Sequence, residues 1–464
     1  MTATGHAGVV VNDIHSQLNK TTVREVVPVS SLEAVRTAVL RARELGVPIC
    51  VAGGRHAMGG QQFCTGGLMI DTRPLARVLA FDEQGGTIEV EAGIQWPALL
   101  AYLRQTRLAF KQKQTGADRL SLGGALAANG HGRGLTLKPI VADVESFELV
   151  GPDGELRTCS RDENRELFTL AAGGYGLFGV IYSLRLRLTP RGKLERIVEL
   201  RALDGLTAAF DERIADGFLY GDFQFAIDPA GDDFMRRGVL SCYRPVEEDR
   251  PIPKNQRALT TDDWSRLLYL THADKAQAFE RYAEHYLATS GQLYWSDAHQ
   301  AAEYIDDYHR TLDAALGTGP ATEMIGELYV PRHRLVDFMK AVADDFRRTG
   351  VDVIYGTVRL IERDDETFLA WAREPWACVI FNLHTVHTGH GIDHSRGAFR
   401  RLIDLAIARG GSYFLTYHSW ARRDQVDACY PRFREFLDRK REHDPDLVFR
   451  SDWYDHHVEL LSGE

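Results

Sequence analysis

Between Val51 and Ile181 the chain carries three glycine-rich segments, each adjoining an apolar run that reads as a strand. The first is VAGGRHAMGGQQFCTGGLMID (Val51–Asp71), the second TGADRLSLGGALAANGHGRG (Thr115–Gly134), the third AAGGYGLFGVI (Ala171–Ile181). Consecutive glycines let main-chain N–H groups converge on an anion and let backbone approach a ligand closely. Tight turns alone do not call for three such segments. Two common phosphate signatures are missing: no GK[ST] follows the first segment, and no GxGxxG opens a long helix. In the second segment, Gly123, Gly124, Ala125, Ala127 and Ala128 allow either close packing of two elements or room for a flat ligand.

The rest of the first 190 residues alternates short strands and helices. SLEAVRTAVLRAREL (Ser31–Leu45) has helical spacing, with Ser31 before it and Gly46 closing it. VESFELVGPDGELRTC reads as a hairpin turning at Pro152-Asp153-Gly154, and VIYSLRLRLTP as a strand ending at Pro190. From 194 to 415, helical stretches (Asp263–Thr289, Arg332–Arg348) alternate with the strand candidates IGELYV, DVIYGTVRLI and ACVIFNLHTV. The expected fold is α+β: a first domain over 1–193, a second over 194–415 with an antiparallel sheet flanked by helices, and a segment 416–464 packing back at their interface.

Composition narrows the function. Asp and Glu number 65 against 55 Lys and Arg, a formal charge of −10 that argues against a nucleic-acid groove or an anionic membrane face. No stretch approaches the roughly 18 apolar residues of a membrane span. The six cysteines stand singly, without a CxxC pair, which fits a reducing cytoplasm rather than a disulfide framework. The expectation is a cytoplasmic enzyme acting on a small molecule, its oligomeric state left open. NLHTVHTGHGIDH holds His384, His387, His390 and His394. A strand would set His384 and His387 on opposite faces, and Gly389 and Gly391 read as a loop, so no metal is expected there.

Taken together, the three segments resemble the FAD-binding domain of the vanillyl-alcohol oxidase / p-cresol methylhydroxylase (PCMH-type) flavoproteins. GGRHAMGGQQF…GGLMID is similar to the cytokinin dehydrogenase pattern around GHSxxGQ, and SLGGALAANGHG to the second flavin loop of the aldonolactone and alditol oxidases. TCSRDENRELFTLAAGGYGLFGVI is similar to the third, and a fainter likeness to decaprenylphosphoryl-ribose oxidase runs to DPDLVFRSD. The resemblance implies a PCMH-type FAD-binding domain at 1–193, with FAD against Ala52, Gly53, Gly54, Arg55, His56, Ala57, Gln61, Gly116, Ser121, Gly123, Gly124, Ala128, His131 and Val180. His56 stands where many members bond covalently to the flavin. Ala57 replaces their usual serine, and the decaprenylphosphoryl-ribose oxidase lacks the histidine. GELYVPRH resembles the ExxxP strand motif, which places the substrate-facing acid at Glu327, with Tyr329 pointing the same way on a strand. The relatives' catalytic lysine falls in SYFLTYHSWARRD, where Tyr417 or His418 stands instead. The implied activity is FAD-dependent oxidation of a C–H bond next to a hydroxyl in a polyol, sugar or similar alcohol, with hydride passing to the flavin and electrons leaving to O2 or another acceptor. Glu327, Tyr417, His418 and His131 are the candidate catalytic residues. Two alternatives stand beside it: amine oxidation as in cytokinin dehydrogenase, and a flavin enzyme with no net oxidation.

Overall fold

The computed structural model describes residues 8–462 apart from Thr115, Glu303, Tyr304, Asp306 and Asp307. The expected N-terminal elements form where the pattern sets them. Ser31 caps the helix Leu32–Leu45 by accepting from Ala34 N, and Gly46 ends it with φ +62°. Val144–Val150 pairs antiparallel with Leu156–Ser160 across the Pro152–Gly154 turn, and Val180–Pro190 adds to the other edge. A three-stranded parallel sheet sets Leu68–Asp71 between Glu25–Pro28 and Ile49–Ala52. The strand Ile49–Ala52 therefore delivers the chain directly into Gly53 and Gly54.

The second half is built on an eight-stranded antiparallel sheet. Its order is Leu293–Trp295, Lys193–Ala202, Arg237–Val246, Tyr220–Phe225, Val353–Ile361, Trp376–Val386, Ala321–Pro331 and Ser412–Tyr413. The mixture of helices with parallel and antiparallel sheets is α+β, as the pattern predicts. One sheet face packs under the helices Leu335–Thr349 and Gly389–Ile407. At Gly326 the fit is so close that a Cβ would lie 2.1 Å from the Phe399 ring. The other face looks toward the glycine-rich segments.

Two local expectations differ from the structure. Asp263–Thr289 is two helices, Thr261–Ala273 and Lys275–Ala288, because Asp274 leaves helical dihedrals and caps the second by accepting from Gln277 N at 3.0 Å. Gly389 and Gly391 lie in the first turn of a helix rather than in a loop, where Thr388 Oγ1 accepts from Gly391 N. The C-terminal segment packs against the first glycine-rich segment and the strand that leads into it: Met58 N donates to Thr416 O, and Ile49 N to Val448 O. No described helix is long and apolar enough to cross a membrane. All six cysteines are free and buried.

Burial also sets an acid limit. Burial holds the imidazoles of His56, His418 and His457 down to about 3, helped at His56 by neighbouring His15. Each is neutral in the fold yet binds a proton below about pH 6.5 once unfolded, so stability is full above that pH and is lost as pH falls toward 3. From pH 6.5 to 5 each histidine costs about 2 kcal/mol, so together they rival a whole domain's stability. The melting temperature is expected to drop steeply below pH 6, and equal melting at pH 7 and pH 5 would contradict this account.

Candidate active site

Between the glycine-rich segments and the free face of the large sheet runs a cleft of about 800 Å³. Its first wall is made by glycines pressed against their neighbours. A Cβ on Gly53 would lie 2.0 Å from Ser121 Oγ, and one on Gly123 would lie 2.7 Å from Ala92 Cβ. Ser121 Oγ in turn accepts from Gly124 N at 3.3 Å and starts the short helix Leu122–Ala127. Arg55 adopts φ +57°, which turns the chain sharply after the two glycines. Two side chains on this wall have buried polar atoms left unmet among the described residues: both amide atoms of Gln114, and His56 Nε2. The other His56 nitrogen, Nδ1, is 2.7 Å from His15 Nε2.

The second wall follows from strand alternation. Glu323, Ile325 and Glu327 line the cleft from Ala321–Pro331, Ile380 and Asn382 from Trp376–Val386, and Tyr355 and Arg359 from Val353–Ile361. Glu327 is 4% exposed and gathers three donors: His131 Nε2 at 2.9 Å and Tyr329 OH at 2.8 Å on Oε2, Tyr417 OH at 2.8 Å on Oε1. Burial alone would raise its pKa, but the His131 bond, the Arg359 charge and the tyrosine hydroxyl hold it down to about 2. Burial, reinforced by the same carboxylate, pushes the Tyr417 and Tyr329 phenols well above their usual range. His131 Nδ1 lies 2.9 Å from the Gly132 carbonyl, so both ring nitrogens face oxygens. Cys378 Sγ, 3.7 Å from Glu327 Oε2, completes the corner. A charged acceptor, two phenols and an imidazole converge at one place in a cleft, an arrangement suited to moving a proton.

The chain is similar to known flavin-dependent proteins. The FAD binding domain family matches residues 23–160. L-gulono-1,4-lactone dehydrogenase of Mycobacterium tuberculosis is 25% identical over 440 residues, 92% of this chain and 94% of that one. Decaprenylphosphoryl-beta-D-ribose oxidase of Mycolicibacterium smegmatis is 24% identical, covering 93% and 94%. Cytokinin dehydrogenase 7 of Oryza sativa subsp. japonica is 24% identical, covering 86% and 80%. Residues 23–160 are an FAD-binding domain of the PCMH type. The chain is an FAD-dependent oxidoreductase, and the wall fits that cofactor: glycines where side chains would fill the cradle, and unpaired Gln114 and His56 atoms facing it.

Most of the flavoprotein's predicted cofactor residues line the cleft: Gly53, Gly54, Arg55, His56, Ala57, Gln61, Gly116, Ser121, Gly123, Gly124, Ala128 and His131. Ala52 and Val180 do not. Ala52 is 1% exposed and packs with Val11 and Phe63, while Val180 packs with Val150; the chain neighbours Gly179 and Ile181 reach the cleft instead. Gln61 is spent within the protein, its amide donating to Leu415 O at 2.9 Å and its carbonyl accepting from Gly59 N. Of the adjacent pair in the C-terminal segment, Tyr417 meets Glu327, whereas His418 lies outside the cleft among Phe399, Tyr413 and Trp420. Of the two candidates for that place, Tyr417 and not His418 reaches Glu327. Arg359 and Gln114 escaped the sequence reading. The one signal for Arg359 is its even spacing from Tyr355 in DVIYGTVRLI, which puts both on one strand face.

Proposed function

We propose that the flavoprotein oxidises a C–H bond adjacent to a hydroxyl, in a polyol, sugar, lactone precursor or like alcohol, and passes the electrons to O2 or another acceptor. The observation that carries this reading is the buried Glu327 carboxylate with Tyr417, Tyr329 and His131 around it. Bound FAD supplies the two-electron acceptor. The chain's own residues then have the proton to handle. Tyr417 donates to Glu327 and keeps its oxygen lone pairs for a substrate hydroxyl, so that hydroxyl's proton can move to Tyr417 as the phenol's proton moves to Glu327. His131 steadies the carboxylate through the change, and Arg359 holds negative charge on the oxygen side. Support from relatives is consistent with alcohol oxidation, since two of the long matches are named for a lactone and a ribose derivative. An anaerobic panel of sugars, polyols, lactols and amines, read as bleaching of the flavin absorbance, tests it. Alcohols are expected to bleach the flavin; bleaching by amines alone would transfer the reading to the cytokinin dehydrogenase type.

On the cofactor side, Gly53–Ala57 would hold the pyrophosphate, and His56 would be the point of covalent attachment. His56 is neutral and buried, with Nδ1 2.7 Å from His15 Nε2, and a neutral imidazole keeps one unprotonated ring nitrogen as the nucleophile this attachment requires. Acid precipitation is expected to leave a yellow pellet whose intact mass is raised by one FAD, and His56→Ala to release all flavin to the supernatant. Wild-type protein that gives up its flavin to acid would remove the bond from the proposal while leaving the oxidation untouched.

A further inference from the structure

On the Glu327 strand, Glu323 occupies the same face four residues earlier, about 13 Å along the chain. It is 7% exposed and collects imidazoles from three separate elements. His384 stands directly opposite it on the neighbouring strand, and His272 comes from the last turn of the helix Thr261–Ala273. Tyr308 OH and His309 Nε2 take one carboxylate oxygen, Oε2. The other oxygen differs. Glu323 Oε1 lies 3.4 Å from His272 Nε2 and 3.8 Å from His384 Nδ1, and all three atoms are buried without a hydrogen-bond partner among the described residues. The His272 side chain is 3% exposed, so water does not wash this nitrogen freely.

Those separations are too long for hydrogen bonds, which close at about 2.7–3.2 Å. They are close to the spacing of ligands around an ion: two atoms each about 2.0–2.1 Å from a tetrahedral centre stand about 3.3 Å apart. The His272 and His384 rings meet edge to face, at 79° with centroids 4.8 Å apart, and the two imidazoles and the Glu323 carboxylate offer ligand atoms all within 4.8 Å of one another. Buried polar atoms left unpaired in this way are destabilising. A cation among them would satisfy all three.

We propose that His272 Nε2, Glu323 Oε1 and His384 Nδ1 bind a divalent transition-metal ion, Zn2+ in the first place. Two imidazoles and one carboxylate suit zinc and exclude calcium or magnesium, which take oxygen ligands. The ion would fasten the end of Thr261–Ala273 to two adjacent sheet strands and so fix the far end of the cleft wall. Three protein ligands leave a fourth position for water or a substrate oxygen.

The test uses the full chain with its flavin and without a histidine tag. Metal analysis is expected to find about one Zn2+ per chain. After chelator treatment, Co2+ is expected to rebind at one equivalent and show the visible bands of four-coordinate Co2+ on the long-wavelength side of the flavin absorption. His272→Gln and His384→Gln are each expected to weaken Co2+ binding at least about tenfold, with flavin content retained. Glu323→Gln provides a third variant should either fail to fold. A chain that neither carries nor takes up metal overturns the proposal. So does Co2+ binding that is unchanged in the folded variants.

Discussion

Replacing Glu327 by glutamine is expected to slow flavin reduction by substrate at least ~100-fold while leaving the flavin bound, a typical loss for a removed proton-handling group. The shape is conserved, so the effect isolates chemistry. A carboxylate accepts at both oxygens, and here both are used, by His131 and Tyr329 on one and Tyr417 on the other. An amide offers one acceptor and one donor. Whichever way it turns, an N–H faces either the Tyr417 hydroxyl or the His131 and Tyr329 pair, and Arg359 loses the negative charge beside it. Tyr417→Phe is expected to slow the same step by a comparable factor, because it removes the phenol that would link the substrate hydroxyl to Glu327. Anaerobic stopped-flow at saturating substrate separates the reduction step from binding. A Glu327→Gln enzyme reduced at the wild-type rate would remove this residue from the chemistry.

The largest expected effect on stability comes from the C-terminal segment. Lys440 is 0% exposed and pairs with Asp444, itself 1% exposed, and Asp444 also accepts from Val448 N at 3.0 Å and Phe449 N at 2.8 Å. Burial pulls the Lys440 ammonium down to about 8, against the opposing pull of Asp444. Asp444→Ala would strand that ammonium and two main-chain N–H groups in the interior, a loss of about 3–5 kcal/mol. Lys440→Met is expected to cost less, since Asp444 keeps its two backbone donors. The consequence reaches the cleft: Ile49 N donates to Val448 O, Arg450 N donates to Ile49 O, and Ile49 begins the strand that leads into Gly53. Asp444→Ala should therefore lower flavin retention as well as the unfolding midpoint. An unchanged midpoint would show the pair to be energetically neutral.

The parts of this protein legible in the sequence were those fixed by local spacing. Gly53 and Gly123 stood out in glycine pairs, and the structure shows close approaches there that a Cβ would obstruct, while the period of two on GELYV put Glu327 and Tyr329 on one face. Tyr417 and His418 could not be separated, since they follow the last strand in a turn where no period applies. Thr261–Ala288 kept helical spacing through Asp274, so the break there showed only in the cap. Arg359 and Gln114 are ordinary polar residues until the sheet and the glycine wall close around them. His272, Glu323 and His384 lie too far apart in the chain for any spacing rule. Their meeting depends on strand pairing and on where one helix ends.

The strand that carries Glu327 divides its labour by parity. Odd positions, Glu323, Ile325, Glu327 and Tyr329, belong to the reactants' side; even positions belong to the scaffold, with Gly326 pressed beneath Phe399. Substitution can therefore rewrite one set while the other stays intact. A change of length cannot. One residue inserted ahead of Glu327 would exchange the two sets and turn a carboxylate toward a ring that already excludes a single methyl. Descendants of this enzyme are free to change what they oxidise by point replacement along the strand, while its length is held constant by the helix on its far side.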